Sequence, residues 1–375
     1  MTPLSVVAGE CCNGCMPAAE PPTPITIHDV ARVSGVSIKT VSRVLRDEPH
    51  VAAATRAAVH QAALQLGYAP HPSARNLAST VSNMIALVRI DPLAAAAAAG
   101  RPGHEYMMAL QTGVQEVCQT LGHGLMLLVV PRQAAAAAAE MQRLVRTRQV
   151  GGFVLPAPTC DLPGLMAAMD AAGLCHAAIS PAWRGGASPW AVVDEADAMR
   201  RLTVHLIERG HRRIALMLGD AGTRGAVERL AGFRQAMDQA GIAFEPASVE
   251  QAGYTFDAGR EAAHRLLRRP QRPSAIMAAS DDCAAGVITA AHERGLVLPD
   301  DLSITGYDDV DLARKVWPSL STVRQPLEQL AAIATRQLIA RMQPQRRSHD
   351  APAEQVMLEA ELVLRGSVGL PFERG

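Results

Sequence analysis

The stretch Gly35-Val36-Ser37-Ile38-Lys39-Thr40-Val41-Ser42-Arg43-Val44-Leu45 decides how the first part of this chain folds. Ser37 is suited to cap a helix whose Val41, Val44 and Leu45 share one apolar face, which leaves Ile38, Lys39, Ser42 and Arg43 on the other. Upstream, Ile27, Val30, Ala31 and Val33 mark the apolar side of a shorter helix capped by Thr26, and Gly35 breaks it. Two short helices joined by a Gly-containing turn of about three to four residues form a helix-turn-helix. The outward residues near the start of its second helix are those that reach base edges.

The flanking segments agree. Thr55 to Leu66 reads as a third amphipathic helix with Val59, Ala62, Ala63 and Leu66 on one side, ended by Gly67-Tyr68. His71 to Ser79 is too short and polar to hold a helix alone in water and would fold only against a partner.

On Thr26, Asp29-Val30-Ala31, Gly35-Val36-Ser37, Thr40 to Leu45, Gly67-Tyr68 and Ala74-Arg75-Asn76-Leu77-Ala78, the sequence resembles the LacI/GalR family of transcriptional regulators. The likeness runs from about residue 25 to 367. Later segments follow the same pattern in order: Arg209 to Ala215, Arg229 to Phe233, Ser280-Asp281-Asp282 with Ala284-Ala285-Gly286, and Gly306-Tyr307-Asp308-Asp309 through Pro326.

Composition is compatible with such a protein. The 375 residues allow two to three domains of roughly 100 to 200 residues each. With 49% hydrophobic residues and 3% aromatics, Ala, Leu and Val must build the core. The net charge is zero, but residues 25 to 80 carry six Lys/Arg (Arg32, Lys39, Arg43, Arg46, Arg56, Arg75) against three acids (Asp29, Asp47, Glu48). A dimer would double that local excess at DNA. No apolar run reaches the ~18 residues of a membrane span, and Met1 to Pro24 lacks the features of a signal peptide, so a cytoplasmic protein with a disordered 1–24 tail is expected. Cys11, Cys12 and Cys15 lie in that tail. Cys118, Cys160, Cys175 and Cys283 are scattered singly, as reduced thiols are.

Beyond residue 82, apolar runs alternate with helical stretches: 84–90, 124–130, 151–155, 175–179, 191–193, 213–218, 275–278 and 302–305. Strand alternating with helix predicts parallel sheets covered on both faces. The expected fold is therefore an N-terminal all-α helix-turn-helix domain (25–70), a hinge helix or linker (71–81) and an α/β periplasmic-binding-protein-like core of two doubly wound parallel-sheet subdomains (82–367). The resemblance implies three crossings of the chain between subdomains, the first about 82–190 and 326–345, the second about 191–325 and 353–367, with a tail from 368 to 375.

Ligands of open α/β sheets bind beyond the carboxyl ends of the strands. By resemblance Asp308 and Arg229 would bond effector hydroxyls with Ser280 and Asp281 near them, and Tyr106, Phe233, Tyr254, Phe256 and Trp317 are candidates to stack on a sugar ring. Asp309 reads as a surface residue. Ser280 stands where the family commonly has Asn. The alanine runs 94–99 and 134–139, with Pro156-Ala157-Pro158, offer no side-chain donors, so an unusually apolar wall is expected in the first subdomain.

An enzyme would need a nucleophile, base or metal set; no Gly-x-Ser-x-Gly elbow, Walker loop or metal-spaced His/Cys cluster occurs, and no cofactor or metal is expected. A sugar-binding protein without a regulatory role would account only for residues 82 to 367. The expectation is a homodimeric repressor on a pseudo-palindromic operator, with a small carbohydrate effector. Arg43 would take a bidentate guanine contact, with Ile38 and Lys39 setting preference beside it. Thr26, Ser37, Thr40 and Ser42 would mainly position phosphates. The resemblance adds Arg75 and a hinge helix whose Leu77 wedges between central base pairs. No leucine-heptad segment follows residue 367, so a zipper-built tetramer is not expected.

Overall fold

The computed structural model describes residues 25–45, 51–68, 82–90, 103–182, 188–220, 222–343 and 355–371. They form two compact units divided between residues 79 and 80.

In the first unit, α1 (Ile27–Ser34), α2 (Ile38–Leu45) and α3 (Ala53–Leu66) close around Val30, Val41, Val44, Val59, Ala62 and Ala63. Gly35 ends α1 at φ 68°, a left-handed conformation that costs a side-chain-bearing residue more than glycine. Val33, expected on the apolar face, is exposed.

The second unit continues with β1 (Met84–Ile90), α4 (His104–Thr120), β2 (Gly124–Val130), α5 (Ala134–Arg146), β3 (Gly152–Pro156), α6 (Leu165–Ala171), β4 (His176–Ile179) and β5 (Trp190–Val193). Then come α7 (Glu195–Glu208), β6 (Ile214–Leu218), α8 (Arg224–Gln239), β7 (Val249–Gln251), α9 (Phe256–Leu267), β8 (Ala275–Met277), α10 (Asp281–Glu293), β9 (Ser303–Thr305) and α11 (Leu312–Lys315). The chain closes with β10 (Thr322–Arg324), α12 (Leu327–Met342), β11 (Gln355–Leu358) and β12 (Glu361–Val363). The first lobe is a six-stranded parallel sheet in the order β11-β5-β4-β3-β1-β2, and the second a four-stranded parallel sheet β7-β6-β8-β9.

The chain passes between lobes after β5, between β10 and α12, and between β11 and β12. β10 and β12 pair antiparallel beside the passages. Three crossings were expected, but the boundaries move. β5 and β11 belong to the first sheet, whereas the sequence assigned 191–193 and 353–358 to the second subdomain. β11 ladders on β5 in register Gln355↔Trp190 to Leu358↔Val193, and both its polar exposed edge and its distance in sequence hide that pairing. The expected 368–375 tail is also corrected in part: Val368 packs on the core, and the Gly369 N–H donates to Ser303 Oγ at 3.0 Å. The alanine run 134–139 opens α5 and buries Ala137 and Ala138, a use that needs only helix propensity and small volume. The run 94–99 lies outside the described residues.

The core is built as the composition requires, from Ala, Leu, Val, Ile and Met. On the second sheet, α9 and α10 pack so closely that a Cβ on Gly286 would overlap the Phe256 carbonyl, and one on Gly259 the Cys283 carbonyl.

Candidate functional site

On the helix-turn-helix, Ser37 Oγ accepts from Thr40 N–H at 3.2 Å and shares a 2.9 Å bond with Thr40 Oγ1, so the start of α2 is fastened by its own side chains. At the start of α1, Asp29 Oδ2 accepts from Thr26 Oγ1–H (2.8 Å) and Thr26 N–H (3.0 Å), while Oδ1 takes Arg32 at 2.8 Å. Arg32 first, then Thr26, lowers the Asp29 carboxyl to about 2. Val41 and Val44 point into the core, while Ile38, Lys39 and Arg43 are exposed and Ser42 is half-buried. Arg75 and Leu77 lie outside the described residues.

In the second unit, a cavity of about 400 Å³ opens at the carboxyl ends of the strands of both lobes. Such a volume lies within the ~300–1,000 Å³ typical of small-molecule sites. Tyr106, Arg229, Tyr254, Ser280, Asp281 and Asp308 line it.

Arg229, on α8, is held from three sides. Its Nε donates to Glu195 Oε2 at 2.8 Å, its Nη1 donates to the Ala279 carbonyl at 2.7 Å, and its guanidinium carbon lies 3.5 Å from the Tyr307 ring centroid. Burial would discharge it, but Glu195 and its other neighbours keep it charged, well above its ordinary pKa. Nη2 has no hydrogen-bond partner among the described residues, and Arg229 lines the cavity.

Asp308 stands at φ 111°, a conformation rarely adopted with a side chain. It is kept there by its N–H donating to the Val323 carbonyl (2.8 Å) and by Gln325 Nε2 donating to its Oδ1 (2.6 Å). Burial raises its carboxyl to about 7 against the pull of Arg229 and Gln325. The next residue, Asp309, expected on the surface, has a fully buried side chain clamped by Arg324 at 2.7 Å and Arg365 at 2.6 Å.

Two expected ligand contacts are already engaged. Ser280 caps α10, its Oγ accepting from Cys283 N–H at 3.1 Å and donating to the Tyr254 carbonyl at 3.0 Å. Asp281 uses both oxygens within the protein: Oδ1 accepts from Thr322 Oγ1–H (2.7 Å) and Oδ2 from Val310 N–H (2.9 Å). It is a latch holding the 306–310 loop more than a recognition group. Burial first, then Asp308, raises its pKa.

Three aromatic residues proposed for stacking do not line the cavity. Phe233 shares a face of α8 with Arg229 but lies one turn deeper, fully buried and edge-on to Phe244 with centroids 6.3 Å apart. Phe256, the first residue of α9, is exposed, and Trp317 is 84% exposed. Sequence reasoning missed Arg89, Arg132, Glu195 and Gln325, all of which reach the cavity. The first-lobe wall is therefore not simply apolar. A charge closing the apolar strand Met84–Ile90 was the available signal for Arg89.

A helix-turn-helix unit in series with two α/β lobes around a cavity that holds fixed charged groups is the build of a DNA-binding regulator that responds to a small molecule. The profile of bacterial regulatory proteins of the lacI family matches residues 26–71, and that of the periplasmic binding protein-like domain matches residues 203–368. The transcriptional regulator DegA of Bacillus subtilis is 30% identical over 350 residues, 91% of this chain and 97% of DegA. The chain belongs to the lacI family of transcriptional regulators. Among solved structures, the lac repressor dimer bound to operator and the anti-inducer ONPF aligns with a TM-score of 0.73 at 25% identity, covering 92% of this chain and 100% of that one. The regulator CelR in complex with cellobiose aligns at 0.66 and 27% identity, covering 92% and 99%.

Proposed function

We propose that the chain is a homodimeric repressor whose affinity for a pseudo-palindromic operator is set by a small hydroxylated, sugar-like effector in the cavity. The observation that carries the reading is that Arg229 and Asp308 both line the cavity. Arg229 Nη2 offers donors and Asp308 Oδ2 an acceptor, and neither atom has a partner among the described residues. A donor and an acceptor fixed by buried neighbours match vicinal hydroxyls, each of which both donates and accepts. Cellobiose in the related CelR supports the same ligand class.

On the DNA, Arg43 would read guanine, Ile38 and Lys39 the neighbouring bases, and Thr26, Ser37, Thr40 and Ser42 the phosphates, with Arg75 and Leu77 acting from the hinge segment. Effector binding would change operator affinity only as far as it favours one relative arrangement of the lobes over another.

The test is electrophoretic mobility shift on DNA upstream of the chain's own gene, with and without a sugar panel. The expected result is a specific complex that one sugar dissolves for the wild type and not for Asp308→Ala, whose operator affinity is unchanged. Release of the variant at the same sugar concentration would remove Asp308 from the effector site.

A further inference from the structure

On the reading of the cavity as an effector site, we propose that its effector is an anion, a hydroxylated small molecule bearing a carboxylate or phosphate that Arg89 and Arg132 hold against the first lobe. Both arginines line the cavity, and among the described residues neither has a hydrogen-bond or ion-pair partner. They arrive by separate routes of the chain. Arg89 is the penultimate residue of β1, in register with Val129 of neighbouring β2, and Arg132 lies three residues beyond that partner, past the end of β2. Parallel strands therefore deliver two cations to one rim. The rim is braced where Ile90 N–H donates to Thr159 Oγ1 at 3.3 Å, tying the end of β1 to the loop after β3.

The opposite wall is acidic, and its acids are engaged only in part: among the described residues the Asp220 carboxylate and Asp308 Oδ2 have no partner. Glu195 is paired with Arg229, Asp281 accepts from Thr322 and Val310, and Asp308 from Gln325. Arginine has no acceptor and keeps its charge, so two of them without counter-charges at a cavity wall complement carboxylate or phosphate better than a neutral hydroxyl. The ligand would lie across the cleft with hydroxyls toward Arg229 and Asp308 and its anionic end toward Arg89 and Arg132.

The experiment is calorimetric titration of the full chain with matched series: neutral hexoses, the corresponding uronates, and the hexose 6-phosphates. One anionic series should bind at least tenfold more tightly than its neutral parents, and the anion that succeeds identifies the group. Arg89→Gln and Arg132→Gln should each weaken that compound by about tenfold, the scale of one charged hydrogen bond, while operator binding stays intact. Raising salt should weaken the anion and leave neutral sugars unaffected. Neutral hexoses that bind as tightly as their acids, or Gln variants that keep the preference for the anion, would overturn the proposal. Failure of all three series would fall on the hydroxyl-binding reading of the cavity itself and take this inference with it.

Discussion

Asp308 combines an unusual backbone angle with a carboxyl raised to about 7 by burial. A group that binds its proton more tightly folded than unfolded stabilises the fold most at low pH, and that contribution declines as pH rises from about 4 to about 7. Asp281 and Asp282, also raised by burial, act with the same sign. Asp308→Asn should therefore flatten, without abolishing, the fall in urea midpoint between pH 5 and 7.5; an unchanged slope would show that Asp308 is ionised throughout. Arg229 poses the converse problem, a permanent charge with Glu195 as its counter-ion. Removing one partner of a buried ion pair costs about 3–5 kcal/mol, so Glu195→Ala should lower the denaturation midpoint far more than Arg143→Ala, which breaks an exposed, solvent-screened pair. On the DNA-binding unit, Arg43→Ala should cost about 1–3 kcal/mol on a specific palindrome and little on random DNA, compared at one salt concentration. Equal losses on both DNAs would assign Arg43 to phosphate instead of base.

Elements were legible where their signals are local. The first two N-terminal helices carry side-chain caps at Thr26 and Ser37, the first and third end at Gly35 and Gly67, and β1 and β2 match the apolar runs residue for residue. β7 and β11 were not legible. Each is short and partly exposed, and each owes its ladder to a partner distant in sequence. Which side chains meet was harder still: Phe233 and Arg229 share a helical face, and only the depth of α8 in the lobe sends one to the core and the other to the cavity. The α9–α10 contact makes a prediction of the same kind, since Gly286 looks replaceable in a helix by propensity alone. The overlap of a new Cβ with the Phe256 carbonyl reverses that expectation. Gly286→Ala should destabilise by about 1–3 kcal/mol in urea titration, whereas a stabilised variant would mean that the two helices can part at little cost.

The whole second unit is one linked system, because its cavity takes walls from both lobes and its chain crosses between them three times. An effector that binds only the folded unit stabilises it by about 2.7 kcal/mol at a hundred times its Kd. Scanning calorimetry of the full chain should show one transition moving upward with ligand while the melting of residues 25–68 stays in place; a common shift would mean that the two units unfold together. The crossings also set an order on the ribosome. β6 to β9 lie within residues 214–305 and can pair as soon as that stretch has emerged, but β5 gains its outer neighbour β11 only when residues 355–358 appear. The first lobe, begun earliest, is thus finished last. Until residues 355–358 emerge its sheet has an unpaired margin at β5, a stage at which a nascent chain depends on chaperone cover and at which a premature stop near residue 350 would release a protein with an incomplete first lobe.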